Sequence, residues 1–310
     1  MKRLQYLIIL GLGLLYLGAA QPALSASAPP AKIRVVATTQ DLAAITRAVG
    51  GDKVDVFAIG KGNQDPHFVP PKPSYVLKLK NADLLVSVGM ELDVWANTLL
   101  DASGNPKINR TGPNYVDASL GIPVIAPPFR KIDRSLGDVH PQGNPHYQLD
   151  PVDAKYMSLN IVNGLKYVDP ADAAYFDAQR QIFLKALAGH LTGWMKEAEA
   201  LKGVKVLTYH ESWPYFERRF GLDIVGNVEP KPGIPPSPKY IAELIQKSKA
   251  QGVKFIITEP YYPRSATDTV ARAIGVPVLV LPSSVGGAPG VDDYFQLFDY
   301  DLGAMLKALH

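Results

Sequence analysis

Val204-Lys205-Val206-Leu207-Thr208-Tyr209-His210-Glu211 decides the fold. The run is apolar and β-branched, which reads as a strand, and it stops at an imidazole. The same grammar stands in the first half, where Val54-Asp55-Val56-Phe57-Ala58-Ile59 leads into the turn Asp65-Pro66-His67. A third histidine occupies a similar turn, Asn144-Pro145-His146. Neutral imidazole is the commonest protein ligand for a transition metal, and open α/β sheets bind ligands beyond the carboxyl ends of their strands. The pattern predicts two α/β units whose loops bring histidines to one cleft.

Outward from these runs, strand and helix patterns alternate along most of the chain. Residues 33–38, 54–59 and 83–88 are predicted strands, with predicted helices over 40–49, about 74–81 and about 93–100. Residues 121–150, rich in Pro, Gly and Asn, read as a long irregular segment of the kind that is often functional. Strand patterns return at 204–209, 222–228, 254–258 and 277–281, with helix patterns at 212–220, 238–250, 264–274 and 292–309. Such alternation indicates βαβ units and parallel sheets. Between the halves, Asp169-Pro170 supplies a helix cap and a first-turn proline. No proline follows up to Leu201, so about 32 residues at ~1.5 Å each predict a rod of roughly 48 Å. The expected class is α/β, with two lobes, each a parallel sheet flanked by helices, joined by one long rigid backbone helix. The expected boundaries are a signal peptide over 1–28, an N-terminal lobe over 29–168, the linking helix over 169–201 and a C-terminal lobe over 202–310.

Met1-Lys2-Arg3 is a short basic start, Leu4 to Ala20 is almost wholly apolar, and Ala23, Ser25, Ala26, Ser27 and Ala28 follow. This resembles a cleavable export signal. A membrane anchor is the alternative, because the stretch approaches the ~20 residues needed to span a bilayer. The expected location is periplasmic. The sequence has no cysteine, which excludes disulfides, thiolate metal sites and cysteine nucleophiles. It also offers no acceptor for a lipid anchor, so an untethered protein is expected; the expected state is a monomer. A net charge of +3, smaller still without Lys2 and Arg3, leaves no basic stripe for nucleic acid.

His67, His146 and His210 are therefore the candidate metal ligands. Glu259, which follows Thr258 at the end of an apolar strand, is the candidate carboxylate. Three imidazoles and one oxygen make a tetrahedral site suited to Zn²⁺, whereas Ca²⁺ and Mg²⁺ prefer oxygen shells. Each residue alone has a plainer reading: turn chemistry at His146, a structural carboxylate at Glu259. Their repeated placement argues for a site. His140, followed by Pro141, lies in the same irregular segment as His146, and spacing alone does not say which points inward. His190, inside the long helix, reads as a packing or solvated residue, and His310 as a frayed end.

These motifs carry a family likeness. Asp65-Pro66-His67-Phe68-Val69-Pro70-Pro71-Lys72-Pro73-Ser74, followed by Asn81-Ala82-Asp83-Leu84, resembles the first metal-binding segment of the zinc- and manganese-binding solute receptors of ABC transporters (ZnuA/TroA-like). Asn144-Pro145-His146-Tyr147-Gln148-Leu149-Asp150-Pro151 resembles their second segment, and His210-Glu211-Ser212-Trp213-Pro214-Tyr215-Phe216 with Gly221-Leu222 their third. The resemblance covers essentially the whole chain after the signal, in order. It implies metal held between two lobes by His67, His146 and His210, Zn(II) as bound cargo, and the membrane permease of a metal ABC transporter as partner.

Two features depart from that pattern. Many members place an Asp in the loop after the last strand, but Leu281-Pro282-Ser283-Ser284-Val285-Gly286-Gly287 has no acid. Glu259, whose Glu-Pro context also resembles the family, or a water then becomes the fourth ligand. The His- and Asp-rich loop of many zinc members is absent too. Members with Glu at the third ligand position are associated with manganese, so His210 argues for zinc. The expected function is high-affinity extracytoplasmic Zn(II) capture and delivery, without catalysis. A receptor for another divalent metal such as Mn(II) is one alternative. A zinc hydrolase is another, because three protein ligands and an open position also form the catalytic pattern; no His-Glu-x-x-His motif supports it.

Overall fold

Two four-stranded parallel sheets with the same strand order carry the fold. The computed structural model describes residues 31–125 and 140–309; the expected signal over 1–28 and His310 lie outside the described residues. β1 (Ile33–Ala37), β2 (Val54–Ala58), β3 (Leu84–Ser87) and β4 (Tyr115–Asp117) run in the order β2-β1-β3-β4. β5 (Lys205–Thr208), β6 (Asp223–Asn227), β7 (Phe255–Thr258) and β8 (Val278–Val280) run in the order β6-β5-β7-β8. Every pairing is parallel. In both sheets the order reverses beside the first strand, which opens a crevice at the carboxyl ends.

The helices start and stop where local chemistry directs. In the first lobe they are α1 (Gln40–Gly50), α2 (Pro73–Lys80), α3 (Trp95–Ser103) and α4 (Ala154–Val168); the long α5 (Ala173–Glu197) follows. The second lobe carries α6 (Pro214–Phe220), α7 (Pro238–Gln251), α8 (Arg264–Ile274) and α9 (Tyr294–Lys307). Ser237 caps α7 through the Tyr240 amide, with Pro238 in its first turn and Gly252 closing it at φ 71°. Asp293 and Gln296 form a reciprocal capping box on α9, satisfying amides the helix cannot pair itself.

The predicted rod over 169–201 is present as one continuous helical run, α5 with a 3₁₀ turn at each end, Pro170–Asp172 and Ala198–Leu201. Asp169 caps the first turn, as expected, by accepting the Asp172 amide. The 25 α-helical residues span about 37 Å. The short edge strand β4 and the helix α4 were not anticipated. α4 buries Met157, Ile161 and Leu165, a helical spacing, against α1 and α5.

Strand alternation divides the core. Val35, Leu84 and Val86 face one cluster while Val36 and Leu85 face another, because successive residues point to opposite faces. The first cluster continues through Phe176, Leu187 and Trp194 of α5 into Phe216, Phe255 and Phe298 of the second lobe. The lobes therefore share one apolar core along α5. Polar ties add to it. Asp41 of α1 accepts hydrogen bonds from the Ser284 hydroxyl at 2.5 Å and the Val285 amide at 2.9 Å, in the loop after β8. No helix among the described residues is long and apolar enough to cross a membrane.

Candidate metal centre

Each candidate imidazole is fixed by its own turn. His67 follows β2; its amide donates to Asp65 Oδ1 at 2.9 Å and its Nδ1 meets the same oxygen at 2.7 Å. Trp95 of α3 donates to the Pro66 carbonyl at 2.8 Å, pinning this turn to the first lobe. The His146 amide donates to Asn144 Oδ1 at 2.9 Å, the side-chain turn that Asn favours. Asn144 Nδ2 in turn donates to the Glu211 carbonyl at 2.7 Å, joining this turn to the residue after His210. His210 leaves the end of β5, and its Nδ1 lies 2.7 Å from Glu229 Oε2.

These turns converge. Ring centres of His67 and His146, and of His67 and His210, are 5.2 Å apart, and those of His146 and His210 are 5.3 Å apart. One ring nitrogen from each of the three lies within 4.8 Å of the others. Nε2 of His67 and of His146 is buried without a hydrogen-bond partner. Burial would raise the Asp65 carboxyl, but the hydrogen bond and charge of His67 outweigh it and hold the group below its ordinary range. An ionised carboxylate only accepts, so Asp65 selects the tautomer with Nδ1 protonated and Nε2 free. This is how outer carboxylates orient metal-binding imidazoles.

The electrostatics separate the histidines. Burial pushes His146 well below 6.5 and takes His140 down to about 4, with the proximity of His67 and His210 adding to the shift. Burial acts the same way on His210, but the Glu229 hydrogen bond and the charges of Glu259, Glu229 and Asp65 reverse it and raise the group.

Glu259 sits buried after β7, where its Oε1 accepts from Trp213 Nε1 at 3.1 Å. Burial raises its carboxyl to about 7, against the opposing influence of Ser212, Trp213 and the charge of His210. It does not join the set of mutually close ligand atoms formed by the three histidines. His140 does stand beside the cluster, its ring centre 5.2 Å from that of His67. His190 stacks on Phe295 at 4.6 Å, a packing role. Sequence reasoning missed Asp65 and Glu229 as orienting groups. A signal for Glu229 was present: Val228-Glu229-Pro230 repeats the strand-Glu-Pro pattern of Thr258-Glu259-Pro260.

Two α/β lobes sharing a long helix, with buried imidazoles meeting from both, define a two-lobed solute receptor. Over residues 35–308 the chain matches the family described as zinc-uptake complex component A, periplasmic, and it belongs to that family. It is a substrate-binding component of a metal ABC transporter. It is 26% identical to the metal ABC transporter substrate-binding lipoprotein SsaB of Streptococcus sanguinis, across 100% of this chain and 99% of the relative. Identity to the iron ABC transporter substrate-binding lipoprotein MtsA of Streptococcus pyogenes serotype M1 is 27%, across 90% of this chain and 89% of the relative. A crystal structure of ZnuA shares the fold with a TM-score of 0.76 at 22% identity, covering 90% of this chain and 100% of that one.

Proposed function

We propose that this protein, exported from the cytoplasm, captures Zn²⁺ with His67, His146 and His210 and delivers it to the membrane permease of its transporter. The near-equilateral triangle of imidazoles is the observation that carries this reading. Around a tetrahedral zinc with Zn–N of about 2.05 Å, ring centres stand about 3.2 Å from the metal and therefore about 5.2 Å apart. The three separations of 5.2, 5.2 and 5.3 Å match that spacing. An all-nitrogen inner set favours zinc over manganese, which prefers carboxylate and water. Glu259, held by Trp213, stays outside this set of nitrogens. Asp65 and Glu229 supply the negative charge that the neutral ligands lack.

Metal analysis and Zn²⁺ titration of the purified protein, with Mn²⁺ as competitor, test the reading. The expected result is one tightly held Zn²⁺ per chain that excess Mn²⁺ does not displace. Equal or tighter Mn²⁺ binding would overturn the zinc assignment, and absence of binding to either ion would overturn the receptor reading.

A further inference from the structure

His140 has no part in the three-imidazole reading, yet it stands in the same chamber. Its ring centre keeps from His67 the same 5.2 Å that His146 and His210 keep. Its Nε2 is buried without a hydrogen-bond partner, and a buried polar atom left unpaired is destabilising. The ring donates to the backbone carbonyl of Met90. With Nε2 unpartnered, Nδ1 is the donor, so the proton is fixed on one nitrogen and the lone pair left on the other. His67 is presented the same way, its Nδ1 held by Asp65 and its Nε2 unpartnered. The turn that supplies this carbonyl is itself unusual: Met90 and Glu91 have φ of 51° and 63°, a left-handed conformation that is strained for non-glycine residues.

We propose that His140 is a fourth imidazole ligand, recruited onto the ion held by His67, His146 and His210. The inference rests on the metal-receptor reading above and adds the identity of the fourth donor. His140 is outside the set of nitrogens within 4.8 Å of one another, so its ring moves toward the ion on binding. Segment geometry favours this donor over Glu259. His140 begins a short turn in which its carbonyl accepts from the Gly143 amide at 3.1 Å, whereas Glu259 is anchored at a strand end by Trp213. Four neutral nitrogens suit late divalent cations such as Zn²⁺ and leave Mn²⁺ poorly served.

X-ray absorption at the zinc edge of the Zn²⁺-loaded protein counts imidazoles directly, and Zn²⁺ titration reads their effect. Four imidazoles are expected in the wild type and three in His140→Ala. The variant should still bind one Zn²⁺ per chain, but at least roughly tenfold more weakly. His140→Gln, which fills similar space, should show the same loss, and this separates ligation from packing. Three imidazoles in the wild type, with wild-type affinity in both variants, would overturn this proposal and leave the receptor reading standing. A wild type that binds no zinc would overturn both.

Discussion

The imidazoles depend on carboxylates behind them. Asp65 and Glu229 each fix one ring at 2.7 Å, and loss of such an orienting partner typically costs 10- to 100-fold in metal affinity. Asp65→Asn and Glu229→Gln should therefore each weaken Zn²⁺ binding by about that factor in calorimetric titration; wild-type affinity in both would refute the orienting role. Proton competition follows from the same contacts. In the proposed site the ion must displace a proton from His210, whose affinity for protons is raised, so Zn²⁺ affinity should begin to fall as pH drops below neutrality. His146 and His140 are shifted the other way and compete only in stronger acid. Glu229→Gln should move the onset of the decline to lower pH, and an unmoved onset would contradict the assignment. Glu259 gives a stability test without metal. Its carboxyl is raised from 4.5 to about 7 by burial, so the folded state holds a proton the unfolded chain releases between those values. That contribution is present in acid and lost as pH rises through about 7, a cost of about 3 kcal/mol in mild alkali. Glu259→Gln should thus raise the melting temperature at pH 8 far more than at pH 5, and equal shifts would argue against a buried ionisable carboxyl. At this scale the convergence of the three histidines was legible because each sits in a marked turn, His67 and His210 after strands and His146 after Asn144-Pro145. Glu229 was not, since it lies 19 residues from the ring it holds and only tertiary approach brings them together; Asp65 stands two residues before its ring, inside the marked turn, but its orienting contact was overlooked.

The elements explain how residues so far apart are held in register. Asp150, four residues after His146 and fully buried, accepts from Arg219 Nε at 2.7 Å and from Arg218 Nη2 at 3.0 Å. Both arginines belong to α6, the helix that follows the His210 turn, so this cluster locks the His146 segment onto the second lobe. Breaking a buried ion pair from one side is expensive. Because the guanidiniums are about a third exposed, Asp150→Ala should cost about 2–3 kcal/mol in urea unfolding rather than the full buried value. An unchanged midpoint would remove the lock from the account. Most elements could be read from the sequence, because turn glycines and first-turn prolines delimit them, as at Pro238 and Gly252 of α7. α4 escaped because two prolines, Pro145 and Pro151, and the irregular composition before it masked the spacing of Met157, Ile161 and Leu165. β4 is only three residues long, too short to show an alternation. The rod before β5 was seen, but not its 3₁₀ ends, which depend on how the first and last turns dock.

At the scale of the whole molecule, the shared core matters more than the division into lobes. A cluster running from Val35 through Phe176 and Trp194 to Phe298 leaves no apolar break at which one lobe could unfold alone. Thermal unfolding should be a single cooperative transition, and two resolved transitions would contradict the common core. Zn²⁺ at about 100 times its dissociation constant adds about 2.7 kcal/mol, which should raise that transition by about 5 °C or more. The Asp41 tie to Ser284 and Val285 joins the loop after β8 to the first lobe and adds a polar link to that core. The central claim is that three turns from both lobes act on one ion, and Zn²⁺ titration of the wild type beside His67→Ala, His146→Ala and His210→Ala tests it most directly. The account predicts one site per chain and a loss of at least about 100-fold in each folded variant, a difference of roughly 2.7 kcal/mol or more; wild-type affinity in any one of the three would contradict it.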